Sequence, residues 1–131
     1  MNKKIMVVDD EPGALALIEI LLKRKGFTVV TARGAQHALT LLTHEKPDLF
    51  ILDVMMPGIS GLELCQQLRN RADTAHIPVL MLSAWSDIEA VQRGLSAGAN
   101  DYLTKTTRPN QIIGKVQALL GQPSSTPDIM L

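Results

Sequence analysis

The amino-acid sequence predicts an α/β fold in which five strands alternate with five helices around one parallel sheet. Three observations predict it. Short, nearly continuous apolar runs recur along the chain, longer stretches of helical period separate them, and proline and glycine stand where those helices should begin and end. Strands that are apolar at every position, rather than at every second one, are strands covered by helices on both faces. Strand–helix alternation in turn implies parallel neighbours joined by right-handed crossovers.

The first strand is Ile5-Met6-Val7-Val8. Pro12 suits the first turn of the helix that follows, Leu15, Ile18 and Leu22 form its buried stripe, and Gly26 stands where it should end in the left-handed conformation. Thr28-Val29-Val30 is the second strand, and Ala35, Ala38, Leu39 and Leu42 stripe the second helix. Leu49-Phe50-Ile51-Leu52 is the third strand; the helix after it carries Leu62, Cys65 and Leu68, with Leu64 as an extra apolar residue. The fourth strand is Val79-Leu80-Met81-Leu82, followed by a helix with Ile88, Val91 and Leu95 as its predicted stripe and Gly98 at its end. Tyr102-Leu103 is a weaker fifth strand, and Pro109 opens a last helix striped by Ile112, Val116, Leu119 and Leu120. Residues 1–120 therefore read as one domain. Residues 121–131, with Pro123, Ser124, Ser125, Thr126 and Pro127 and no apolar period, read as a flexible tail or linker.

Composition narrows the function. The chain of 131 residues is the size of one ordinary domain, and its 46% hydrophobic and 20% charged residues are the mixture of a globular protein. Thirteen basic residues balance thirteen acidic ones, and no basic stripe with interleaved aromatics occurs, so direct nucleic-acid binding is not expected. A lone Cys65 has no disulfide partner, and no Cys/His spacing suggests a zinc site; His37, His44 and His76 read as surface residues. The apolar run after the basic start is too short for a signal peptide, and none approaches the length of a membrane span. The expectation is a cytoplasmic protein without membrane contact.

In open parallel sheets the ligand site lies beyond the carboxyl ends of the strands. The residues just past those ends are Asp9, Asp10 and Glu11, then Asp53, Ser83 and Lys105. Each has an ordinary explanation by itself. Asp9 and Asp10 could cap the first helix, Asp53 could sit in a turn, Ser83 could be a loop hydroxyl, Lys105 a solvated side chain and Tyr102 core cover. Those explanations must all hold independently, and they leave unexplained why every such loop but the second carries a complementary group. Close carboxylates raise one another's pKa and are costly without a cation. A magnesium ion answers this, since it takes one or two carboxylates, keeps waters and leaves room for a phosphoryl oxygen. An aspartate can then attack phosphorus while an ammonium and a hydroxyl bind the transferred oxygens.

These residues resemble the response-regulator receiver family of two-component signalling, over about Lys3 to Leu120. The resemblance rests on the acidic pair in MVVDDEP, on Asp53 followed by Met56, Pro57 and Gly61, on Ser83-Ala84, and on Tyr102 shortly before Lys105. It implies the flavodoxin-like doubly wound (βα)5 fold with strand order 2-1-3-4-5. It further implies that Asp53 is the phospho-acceptor, that Asp10, Asp53 and the backbone carbonyl of Met55 hold Mg2+, and that Asp9 acts through a metal-bound water. Ser83 and Lys105 would hold the phosphoryl oxygens, and Ser83 and Tyr102 would form the switch. The implied donor is a sensor histidine kinase or phosphotransfer protein, or a small acyl phosphate. The implied recipient is a downstream effector protein or domain that reads the face of the fourth helix, fifth strand and fifth helix.

The chain departs from the family pattern where Thr106, not proline, follows Lys105. A cis bond before Thr106 would cost about 3 kcal/mol, so a trans bond and an altered loop are predicted. Trp85 and Met55 are bulky at positions that, in the family, border the path of hydrolytic water. They either slow loss of the phosphoryl group or serve, in the case of Trp85, as a partner contact. A flavin- or nucleotide-binding protein on the same fold would need a Gly- or Ser/Thr-rich first loop, where this chain has Asp-Asp-Glu-Pro. A receiver-like interaction module without phosphorylation is opposed by the intact Asp10, Asp53 and Lys105, and a hydrolase lacks a second nucleophile signal. If the natural chain ends at Leu131 it acts alone through protein contact; if the tail is a linker, an effector domain follows. With only Lys115 charged in the body of the last helix, a charge-knit dimer is not specified and a homodimer stays open.

Overall fold

A computed structural model describes residues 2–122. In chain order the elements are β1 (Lys4–Val8), α1 (Pro12–Arg24), β2 (Thr28–Ala32), α2 (Ala35–Leu41), β3 (Leu49–Leu52), α3 (Gly61–Arg69), β4 (Val79–Ser83), α4 (Ile88–Ser96), β5 (Asp101–Thr104) and α5 (Pro109–Leu119). All strands pair in parallel, in the order β2-β1-β3-β4-β5. Pro12 and Pro109 open their helices, and Gly26 and Gly98 adopt φ of 89° and 112° just past the ends of α1 and α4. The proposed tail lies outside the described residues from position 123 onward.

Alternation along the strands builds two cores, one on each face of the sheet. Ile5, Val7, Leu49, Ile51, Leu80 and Leu82 face α1 and α5, where they meet Leu15, Ile18, Leu22, Ile112, Ile113 and Val116. Met6, Val8, Phe50, Leu52, Val79 and Met81 face α2, α3 and α4, against Ala35, Ala38, Leu64, Cys65, Leu68 and Ala90. All of β1 from Ile5 onward, all of β3 and all of β4 are buried, which is why those runs are unbroken in the sequence. Truncating a wholly buried side chain such as Phe50 to alanine costs about 3–5 kcal/mol.

Three helices differ from their predicted stripes; in α5, Ile113 is buried while Leu119 and Leu120 are only partly covered. In α3 the extra apolar residue, Leu64, is wholly buried beside Cys65 and Leu68, whereas Leu62 is only partly covered. In α4 the predicted stripe is wrong: Ile88 is 73% and Leu95 44% exposed, Val91 is partly buried, and the buried residues are Ala90 and Gly94. The reason is close approach. The inner face of α4 is made of small residues that let the helix sit directly on Tyr102, so its larger apolar side chains are left on the outside.

The amino end of the sheet is tied by one guanidinium. From the last turn of α3, Arg69 donates to the carbonyls of Gly98 (2.9 Å) and Ile77 (2.6 Å) and to Asn100 Oδ1 (2.7 Å), which also accepts the Val79 amide. The end of α4 is thereby fastened to α3 and to the starts of β4 and β5.

Candidate functional site

Strand register brings the site together. Val8 is level with Leu52 across the β1–β3 pair, so the next residues, Asp9 and Asp53, leave adjacent strands side by side. The ladder continues into them, with the Asp53 amide donating to Val8 (2.9 Å) and the Asp9 amide to Ala32 (3.1 Å). On the other side Ser83 ends β4 level with Thr104, and the Lys105 amide donates to the Ser83 carbonyl at 2.8 Å. Four elements thus deliver their chemical groups to one rim.

Asp9 and Asp53 are buried, while Asp10 is exposed. One carboxylate oxygen from each of the three lies within 4.8 Å of the other two. Lys105 Nζ reaches into the cluster, 2.8 Å from Asp9 Oδ2 and 3.3 Å from Asp53 Oδ2. Burial and the neighbouring Asp9 charge push the Asp53 carboxyl up from 3.8 to about 6, against the pull of Lys105 and the Met55 amide. Burial works against the Lys105 charge, but the hydrogen bond and charge of Asp9 and the charge of Asp53 raise its pKa overall. The Asp9 Oδ1 accepts from the Glu11 amide at 3.0 Å and Asp53 Oδ1 from the Met55 amide at 3.3 Å, so each carboxylate is held by its own loop.

The donor set suits a hard divalent cation. Its ligands are oxygens, three acidic groups converge, and only one cation, Lys105, meets them among the described residues.

Ser83 is fully buried, and its hydroxyl accepts the Trp85 amide at 3.3 Å. The Tyr102 ring is also buried, and its hydroxyl donates to the Trp85 carbonyl at 2.8 Å. Met55 and Trp85 are 48% and 44% exposed and flank an apolar groove of 540 Å³ that opens beside Asp10. The histidines read as surface residues, His37, His44 and His76, are exposed.

The described chain contains no cis peptide bond, so Lys105–Thr106 is trans, as the cost of the alternative predicts. In place of a proline ring, the Thr106 hydroxyl lies 2.9 Å from that of Thr104, and the Thr107 amide closes the turn on the Thr104 carbonyl at 3.0 Å. This turn still delivers Lys105 to the carboxylates. Spacing alone does not explain Gly61: it opens α3 directly against the site, and a Cβ there would overlap the Asp53 carbonyl oxygen. The glycine was legible as part of a motif, but its steric reason needs the fold.

The family model for the response regulator receiver domain matches residues 5–117, and the chain belongs to that family. It is 43% identical over 120 residues to the alkaline phosphatase synthesis transcriptional regulatory protein PhoP of Bacillus subtilis, covering 92% of this chain and 49% of that protein. The crystal structure of a response regulator from Chloroflexus aurantiacus superimposes with a TM-score of 0.89 at 35% identity, over 93% of this chain and all of that one. The BeF3-activated DrrB receiver domain gives a TM-score of 0.82 at 33% identity, over 93% of this chain and 100% of that one. The chain spans about half the length of the curated relatives it matches. Among the described residues no helix is long and apolar enough to cross a membrane.

Proposed function

We propose that this receiver domain is switched by phosphorylation of Asp53, with Mg2+ held by Asp10, Asp53 and the Met55 carbonyl and with Asp9 acting through a metal-bound water. The observation that carries the reading is the meeting of Asp9, Asp10, Asp53 and Lys105 at one rim. A carboxylate oxygen of Asp53 bonds to phosphorus while the P–N bond of a donor phosphohistidine breaks, its electron pair staying on the imidazole nitrogen. Bound Mg2+ supplies charge neutralisation for the incoming phosphoryl oxygens. Lys105, already in contact with Asp53, binds one of those oxygens, and the Ser83 hydroxyl turns to another. Asp53 must be ionised to attack, and Lys105 favours that form.

The donor is a sensor histidine kinase or phosphotransfer protein, with a small acyl phosphate as a substitute. The domain turns over no separate substrate and assists only its own phosphorylation and dephosphorylation. As Ser83 moves toward the phosphoryl group, Tyr102 fills the space behind it and the α4–β5–α5 face changes shape for its reader. That reader is an effector protein or domain, as a transcriptional regulator's output domain would be. Residues 1–120 are the receiver and 121–131 a linker or tail, in a cytoplasmic protein that touches neither nucleic acid nor membrane through this segment.

The test is incubation with acetyl phosphate and Mg2+, followed by intact mass. The wild type should gain one phosphoryl group, and Asp53→Asn or omission of Mg2+ should prevent it. Equal labelling of Asp53→Asn would refute the assignment.

A further inference from the structure

Gly94 lies in the middle of α4, where glycine is a poorer helix former than alanine. It is buried, and the space where its side chain would be is filled by the Tyr102 ring. A Cβ at position 94 would stand 2.7 Å from Tyr102 Cδ2 and 3.1 Å from Cε2, with Met81 Cγ behind at 3.5 Å. Met81, the register partner of Tyr102 on β4, is wholly buried and borders the same space, so room beside the ring is already taken. An added methyl therefore either lifts α4 or turns the ring outward.

The ring's position matters to the rim through two consecutive hydrogen bonds on one residue. The Tyr102 hydroxyl holds the Trp85 carbonyl, and the Trp85 amide is held by Ser83 Oγ. We infer that Gly94 is a positioning residue of the switch: the hollow it leaves in α4 seats Tyr102, and through Trp85 that seat is coupled to the hydroxyl of Ser83. The coupling to phosphorylation rests on the function proposed above, whereas the seating does not. If a phosphoryl mimic favours the seated ring, anything that unseats it must weaken the mimic by the same factor.

The chain has one tyrosine and one tryptophan, so each reports without interference. Protein labelled with 3-fluorotyrosine gives a single 19F resonance, from position 102. In Gly94→Ala this resonance should move toward that of the unfolded chain and become sensitive to a soluble paramagnetic quencher. Beryllofluoride affinity in Mg2+, read by Trp85 fluorescence, should fall about five-fold or more. Melting is an independent check, because alanine is the better helix former and the variant should melt higher unless it meets the ring. Pairing Gly94→Ala with Tyr102→Leu should restore melting lost in the single variant, which keeps the test usable if Gly94→Ala folds poorly. An unmoved resonance, or a moved one with unchanged beryllofluoride affinity, would overturn the inference. Failure of the wild type to bind beryllofluoride would instead refute the proposed function, while the ligand-free resonances would still decide the seating.

Discussion

Lys105 lies closer to Asp9 than to Asp53, at 2.8 Å against 3.3 Å. The ammonium thus sits against the two buried carboxylates of the cluster and acts there as an internal counterion. A divalent cation entering the same carboxylates must share them with that charge. Lys105→Met should accordingly bind Mg2+ more tightly, by roughly ten-fold if one close charge pair of about 1.4 kcal/mol is removed. Trp85 fluorescence titration with MgCl2 measures it, and weaker binding would show that Lys105 orders the ligands instead of competing for them. The same variant should gain little phosphoryl label from acetyl phosphate, which separates binding from transfer.

Asp53 carries a stability cost that depends on pH. Its pKa is about 6 in the folded protein and near 3.8 when unperturbed, so the folded state holds the proton more tightly than the unfolded chain. The contribution of this group is fully present below pH 3.8 and is lost as pH rises through 6. At neutral pH the loss is at most about 3 kcal/mol, less whatever solvent screens at the rim. Asp53→Asn should therefore melt several degrees above the parent at pH 7.5 without Mg2+, and the gap should close toward pH 4. Adding Mg2+ should raise the parent's melting temperature more than the variant's. A gap that does not vary between pH 4 and 7.5 would contradict the charge argument.

Gly61 tests how tightly α3 is drawn against the acceptor. Gly61→Ala sets a methyl on the Asp53 carbonyl, where only backbone could give way. The expected loss is about 1–3 kcal/mol or more, read from the urea midpoint, together with slower acetyl phosphate labelling because Asp53 shifts. Gly34→Ala is the control, since nothing lies within 4 Å of a Cβ there.

Trp85 and Met55 both line the groove beside Asp10. If their bulk keeps water from the phosphoryl group, Trp85→Ala should shorten the lifetime of the phospho-form several-fold, and Met55→Ala should add to it. Decay of the phosphorylated mass after donor removal measures this. An unchanged lifetime would leave Trp85 as a contact for a partner.

Most of the fold is legible because burial on both sheet faces leaves β1, β3 and β4 as unbroken apolar runs. The candidate site is legible because its groups stand at one repeated place, the carboxyl ends of β1, β3, β4 and β5. What escapes has a common physical cause. Size and hydrophobicity mark Ile88 and Leu95 as core, yet close packing on Tyr102 selects Ala90 and Gly94, whose virtue is the absence of a side chain. A glycine inside a helix reads as a weakness until the neighbour filling its space is known. Likewise, order along the chain puts Lys105 at the rim without telling which carboxylate it touches.

The clasp of Arg69 on Gly98 sets how α4 can move. With its carboxyl-terminal end fastened and Trp85 just beyond its other end, any tilt that keeps the clasp behaves like a door hung at one edge. The helix is about 13 Å long at 1.5 Å per residue, so a tilt of about ten degrees sweeps the free edge through roughly 2 Å while the hinge stays almost still. Displacement is thus graded along the helix: greatest near Ile88, where apolar surface is exposed, and least near Ser96.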